Sequence, residues 1–189
     1  MAITLTLAHA VTDEELLVLS ERNPGYEFER TAAGDLVVTP TGTESAYREG
    51  LLFLQLGAWA TSDGHGRAFP AGAGFQLPNG FLYAPDASWV RSDRWEAVPK
   101  EQRRTFARLC PDVVFEIRSE SQSLRELRDK ARVYVAAGAA LVVLIDPYER
   151  IVEMLLPGSA ALVQASPATV SLDPELPGFI LDLAPIFAS

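Results

Sequence analysis

The sequence predicts an α/β fold with additional β-hairpins, and two observations carry that expectation. PDVVFEIRS, SLRELRDKARVYVAAG and ALVVLIDP follow one another as apolar strand, amphipathic helix and apolar strand, which is a βαβ unit. A right-handed crossover places its two strands in one sheet, side by side and parallel. Elsewhere the strand-forming runs are short and punctuated by Gly and Pro, with LPNGF a strong hairpin signal.

Taken in order, the elements follow from local chemistry. Thr12-Asp13-Glu14-Glu15 fits a capping box ahead of Leu16, Leu17 and Leu19, so a short helix starts there and stops at Asn23-Pro24-Gly25. YEFER and DLVVTP flank residues 31–34 as a hairpin. A long apolar helix runs from Glu44 to Thr61 and closes near Gly64. Short β segments occupy GRAFPAGAGFQLPNGFLYAPDASWV, and residues 91–110 read as a basic, partly helical insert. In the βαβ unit, Ser123-Leu124-Arg125-Glu126 repeats the capping box and Gly138 sits where a left-handed C-cap ends the helix. RIVEMLLPGSAALVQ and ATVSLDPELPGFILDL form a further hairpin and a closing segment.

With 189 residues, 48% of them apolar, the chain suits one domain, 1–189, with a substantial core. No apolar run reaches the roughly 18 residues that span a bilayer, and the start lacks the basic region of a signal peptide. A soluble cytoplasmic protein without membrane contact is therefore expected. Cys110 is the one cysteine, so no internal disulfide forms, and His9 and His65 alone offer no zinc-type ligand set. The net charge of −9 argues against a partner as acidic as nucleic acid, but its distribution is uneven. From Arg91 to Arg132 there are 11 Lys or Arg against 8 Asp or Glu. That excess is either a nucleic-acid approach, through Arg91, Arg94, Arg103, Arg104, Arg108 and Arg125, or a solvated charged face.

Two Pro-Asp pairs, Pro85-Asp86 and Pro111-Asp112, precede strand-forming runs, and Glu116 lies near the end of the second run. Alternation puts Glu116 and Arg118 on one face of that strand and Phe115 and Ile117 on the other. A carboxylate on so apolar a strand is costly to bury without a partner or a cation. Metal-assisted phosphodiester hydrolysis needs hard oxygen ligands and a nearby cation, and Asp86 and Glu116 can supply the oxygens. The cation should be Lys if it is to pass a proton, because burial can lower the pKa of Lys and not of Arg. Lys100 and Lys130 are the only lysines among 16 basic residues. On a helical wheel Lys130 lies about 90° from the centre of the stripe made by Leu124, Leu127, Ala131, Tyr134 and Val135. From there it can reach the end of the preceding strand, or it can stay at the surface paired with Glu126 at i−4. Asp86 alone also fits a turn, Asp112 a cap at the start of its strand, and Glu44 a helix-dipole role. Arg118 is a rival cation. No GxSxG, HExxH, Walker or GxGxxG pattern occurs.

On these residues the chain resembles the Uma-two proteins, bacterial restriction-endonuclease-like members of the PD-(D/E)xK superfamily. PDASWV, PDVVFEIRSES and LRDKARVYVAAGAALVVLIDP carry the resemblance, with YEFER and GDLVVTPTG also similar, over about Leu16 to Gly158. It implies a restriction-endonuclease-like mixed central sheet flanked by helices, with Asp86 and Glu116 as the acids that bind Mg2+ or Mn2+. The superfamily's Lys commonly follows the second acid by two residues, where this chain has Arg118, and Lys130 takes over that place. An accessory acid from an early helix is implied at Glu44, with Glu49 the alternative. The activity implied is metal-dependent endonuclease cleavage of nucleic acid, DNA first, by a homodimer. A catalytically inactive nuclease fold, acting as a nucleic-acid-binding or protein-interaction module, is the alternative.

Overall fold

The computed structural model describes residues 2–188. The chain opens with β1 (Ile3–Leu5), α1 (Asp13–Arg22), β2 (Tyr26–Arg30), β3 (Leu36–Pro40), α2 (Thr43–Asp63) and β4 (Gly66–Pro70). Next come β5 (Phe75–Gln76), β6 (Leu82–Tyr83), β7 (Ala87–Arg91), α3 (Ser92–Ala97) and β8 (Val113–Ile117). The remainder holds α4 (Leu124–Ala136), β9 (Leu141–Asp146), β10 (Ile151–Leu155), β11 (Leu162–Ala165), β12 (Thr169–Ser171), β13 (Ile180–Asp182) and α5 (Ala184–Ala188).

A six-stranded mixed sheet, in the order β11-β10-β9-β8-β7-β4, forms the centre. Its one parallel pair is β8 with β9, joined through α4, so the expected βαβ unit is present with its strands adjacent and parallel. Both strands are buried along their whole length, which is why they read as continuous apolar runs. Alternate residues serve opposite layers. Val113, Phe115, Ile117, Val143 and Ile145 pack with Leu52 and Leu56 of α2 and with the C-terminal segment. Val114, Val142 and Leu144 pack with Leu127, Ala131 and Tyr134 of α4. Glu116 belongs by alternation to this second, α4-covered face.

The hairpin of β2 and β3 does not join the central sheet. It builds a second, antiparallel sheet, β1-β3-β2-β6-β5, closed underneath by Leu16 of α1 with Phe28, Leu36 and Leu82. The β1 strand was not foreseen: all three of its residues are exposed, so it carries no buried-face signal. Both capping boxes form, Thr12 with Glu15 and Ser123 with Glu126. The long helix ends at Gly64 with φ 75, a conformation that glycine adopts without strain. The basic insert yields only α3 and a 3-10 turn at Gln102–Arg104.

Candidate functional site

The antiparallel register of β7 and β8 sets Ala87 opposite Phe115, and one step further along it Asp86 faces Glu116. There the ladder ends in a side chain: the Ile117 N–H donates to Asp86 Oδ2 at 2.6 Å. Glu116 is 4% exposed and points under α4. Two turns into that helix, Lys130 places its Nζ 2.8 Å from Glu116 Oε1 and 3.0 Å from Oε2. The same ammonium lies 3.0 Å from Glu29 Oε1, which also accepts the Ala84 N–H at 2.9 Å. The ring of Tyr83 lies 5.3 Å from the ammonium, close enough for a cation–π contact.

These groups line a cleft of about 380 Å³ between the two sheets and the start of α4. Its walls carry seven carboxyl groups, Glu27, Glu29, Glu49, Asp86, Glu116, Glu126 and Asp129, against the single cation Lys130. Burial and crowding of like charge follow from that imbalance. Burial first, then Glu49, raises the Asp86 carboxyl to about 7. Burial also raises Glu116 to about 8, with Asp86 and Glu29 adding to it and Lys130 opposing. Glu49 is raised by burial and by Glu116, and Glu27 well raised by burial and by Glu29. Burial works against the Lys130 ammonium, but Glu116 and Glu29 outweigh it and hold its proton well above the usual lysine value. Sequence reasoning expected burial to make Lys130 a readier proton acceptor. The two carboxylates reverse that direction.

Asp86, Glu116 and Lys130 are thus brought together, and Lys130 does not pair with Glu126, whose carboxylate is committed to the Ser123 capping box. Glu44 is outside the cleft, 2.7 Å from Arg48, while Glu49, one turn on, lines it. Arg118 turns away to Asp146 at 2.8 Å and to the carbonyl of Gln122 at 2.9 Å. Asp112 accepts the Arg91 N–H at 2.9 Å and pairs with Arg94 at 2.8 Å, holding the start of β8 to the end of β7. Of the arginines, Arg125 stands beside the cleft residue Glu126 on the exposed side of α4. Arg91 pairs with Asp93, and Arg103 donates to the Val98 and Glu96 carbonyls over Trp95. Those two, with Arg94, exposed Arg104 and exposed Arg108, belong to the far end of β7 and the loop that follows, and none of them lines the cleft. Glu27, Glu29 and Tyr83 were missed. The one available signal was alternation in YEFER, which sets Glu27 and Glu29 on one face of a strand otherwise rich in aromatics.

The donor set suits a hard divalent cation: carboxylate oxygens in negative excess, in a cleft that reaches the surface at Asp129 and Ser121. Among the described residues no three His, Cys, Asp or Glu already surround one point. Asp86 and Glu116 would therefore share an ion with substrate and water oxygens, the manner in which Mg2+ is usually held.

The profile of the Uma2 family, described as "Putative restriction endonuclease", matches residues 13–184. The chain belongs to the Uma2 family. It is similar to a crystal structure of "a putative nuclease belonging to DUF820 from Anabaena variabilis", at 19% identity and a TM-score of 0.72, over 94% of this chain and 98% of that one. That likeness shows the fold this Uma2 chain shares. A cryo-EM structure of a DrdV-DNA complex is similar over 64% of this chain and 10% of that one, at 16% identity and a TM-score of 0.37, too distant to carry an argument. No curated protein matches. Among the described residues no helix is long and apolar enough to cross a membrane.

Proposed function

We propose that this Uma2 protein is a divalent-metal-dependent endonuclease that hydrolyses phosphodiester bonds of nucleic acid, DNA in the first instance. The observation that carries the reading is the meeting of Asp86, Glu116 and buried Lys130 in one cleft whose acids outnumber its cation. A polyanion entering such a cleft is repelled until positive charge is added. Mg2+ or Mn2+ held there would supply that charge and a Lewis acid for the attacking water. The chain's own groups then have separate tasks. Asp86, kept in place by the Ile117 N–H, and Glu116 would hold the ion. Lys130, firmly protonated, sets a fixed positive charge against the phosphate and steadies the charge that develops on its oxygens. Glu49 is the accessory acid in preference to Glu44, because it faces the cleft. Arg125 is placed for a flanking phosphate. Arg91 lies about five strand residues from Asp86, roughly 17 Å along β7, and Arg94, Arg103 and Arg104 follow it in the chain, so these arginines serve a duplex only if it extends along β7. Cutting both strands at one place calls for two such clefts, and hence a homodimer.

Single-turnover assays on labelled DNA and RNA with Mg2+ and Mn2+ test this directly. Asp86→Ala and Glu116→Ala are expected to lose both cleavage and metal binding. Lys130→Ala loses cleavage while keeping metal affinity, since it removes a competitor for Glu116. Lys130→Arg retains partial activity if a fixed charge is all that is required. A protein that binds nucleic acid but leaves it intact with every divalent metal is instead an inactive nuclease fold acting as a binding module.

A further inference from the structure

Lys130 has two carboxylate partners, and they come from different sheets. Glu116 belongs to the central sheet through β8, and Glu29 to the second sheet through β2. Glu29 is only 6% exposed, and the Ala84 N–H fixes the same oxygen that meets Lys130. Resting on the reading of Asp86 and Glu116 as metal ligands, we propose that Glu29 is a positioning residue that retains the Lys130 ammonium in the cleft once a divalent cation claims Glu116.

The argument is one of competition. Lys130 lies 2.8 and 3.0 Å from the two oxygens of Glu116 but hydrogen-bonds Oε2 alone, so an ion that takes the unpartnered Oε1 draws on the same carboxylate charge and weakens the ammonium's hold. A buried ammonium left without a counter-charge is strongly disfavoured, and that penalty would be charged against metal binding. With Glu29 in place the ammonium keeps a buried ionic partner throughout, itself anchored by the Ala84 N–H, and Tyr83 adds its ring face. Exchange at Glu116 then costs one ion pair and leaves no charge unpaired. Glu29 acts on the metal through Lys130 without touching it.

Two lysines in the whole chain make this measurable. Mn2+ affinity is read by titration calorimetry for the wild type, Glu29→Gln, Lys130→Met and the double variant. Lys130 acetylation is read by mass spectrometry, with exposed Lys100 as the internal reference. Glu29→Gln is expected to weaken Mn2+ binding by about 10- to 100-fold, the range for residues that orient metal ligands. In the Lys130→Met background the same change has no effect, because no ammonium remains to compete. Mn2+ accelerates acetylation of Lys130 in Glu29→Gln and leaves it slow in the wild type. Glu29→Asp, which keeps the charge but withdraws it from Lys130, behaves in the same way and serves if the Gln variant does not fold. Wild-type affinity in Glu29→Gln overturns the proposal, and equal weakening with and without Lys130 makes Glu29 a metal ligand instead. A wild-type protein that takes up no Mn2+ defeats the metal reading of the cleft itself, an outcome distinct from both.

Discussion

Glu116 illustrates how a residue suited to a site can be poorly suited to its strand. It interrupts a run that is otherwise wholly apolar, is 4% exposed, and has its carboxyl raised to about 8. Ionisation at that position therefore works against the metal-free fold. Glu116→Gln keeps the shape and removes the charge. We expect the metal-free variant to melt a few °C above the wild type at pH 9 and to match it at pH 5, where both side chains are neutral; about 1 kcal/mol corresponds to roughly 2–4 °C at this size. Differential scanning calorimetry at the two pH values checks this, and a variant less stable at pH 9 would show that the Lys130 pair outweighs burial. The expected gain in stability would instead locate at this one carboxyl group the stability that a site gives up for its function.

At the scale of elements, α4 is the part on which the cleft depends most. Its N-terminus is fixed by Ser123 Oγ accepting the Glu126 N–H at 3.2 Å and by Glu126 accepting the Ser123 N–H at 2.8 Å. Ser123→Ala should cost about 1 kcal/mol, a fall in melting temperature of roughly 2–4 °C. Mn2+ affinity should stay within about twofold, because Lys130 lies two turns further in. A large loss of affinity, read by calorimetry, would mean that fraying reaches Lys130. This helix was legible in the sequence because capping box, apolar stripe and C-terminal Gly138 all agree. So were β8 and β9, whose apolar runs suit only a doubly covered strand. Sheet membership was not legible. The β2–β3 hairpin reads the same whether it extends the central sheet or starts another, since local alternation says nothing about which neighbour completes the ladder. For that reason Glu29 escaped notice: nothing near it in sequence shows that its strand faces α4. Arg118 escaped in the opposite sense. Strand alternation places it beside Glu116, but β8 ends at Ile117, and beyond that point the side chain is free to turn to Asp146.

For the whole molecule the cleft acids set the dependence on pH. Asp86, raised from 3.8 to about 7, and Glu116, raised from 4.5 to about 8, contribute stability that is present below their unfolded values and lost as pH climbs through the folded ones. Lys130, raised above 10.5, contributes undiminished over that range. The metal-free protein should therefore melt at progressively lower temperature from about pH 5 to pH 8.5, and added Mn2+ should raise its melting temperature more at pH 8.5 than at pH 6. A flat profile, or a metal effect independent of pH, would show that these carboxyls ionise as ordinary surface acids. The pairing of Glu29 with Lys130 also bears on how the molecule comes into being. About 100 residues of chain separate them, so their meeting depends on long-range closure and not on local folding. A chain emerging from the ribosome exposes the acids of β2 long before α4 leaves the exit tunnel. A copy of the chain that stops short of Lys130 accordingly has the acids of the cleft without their cation.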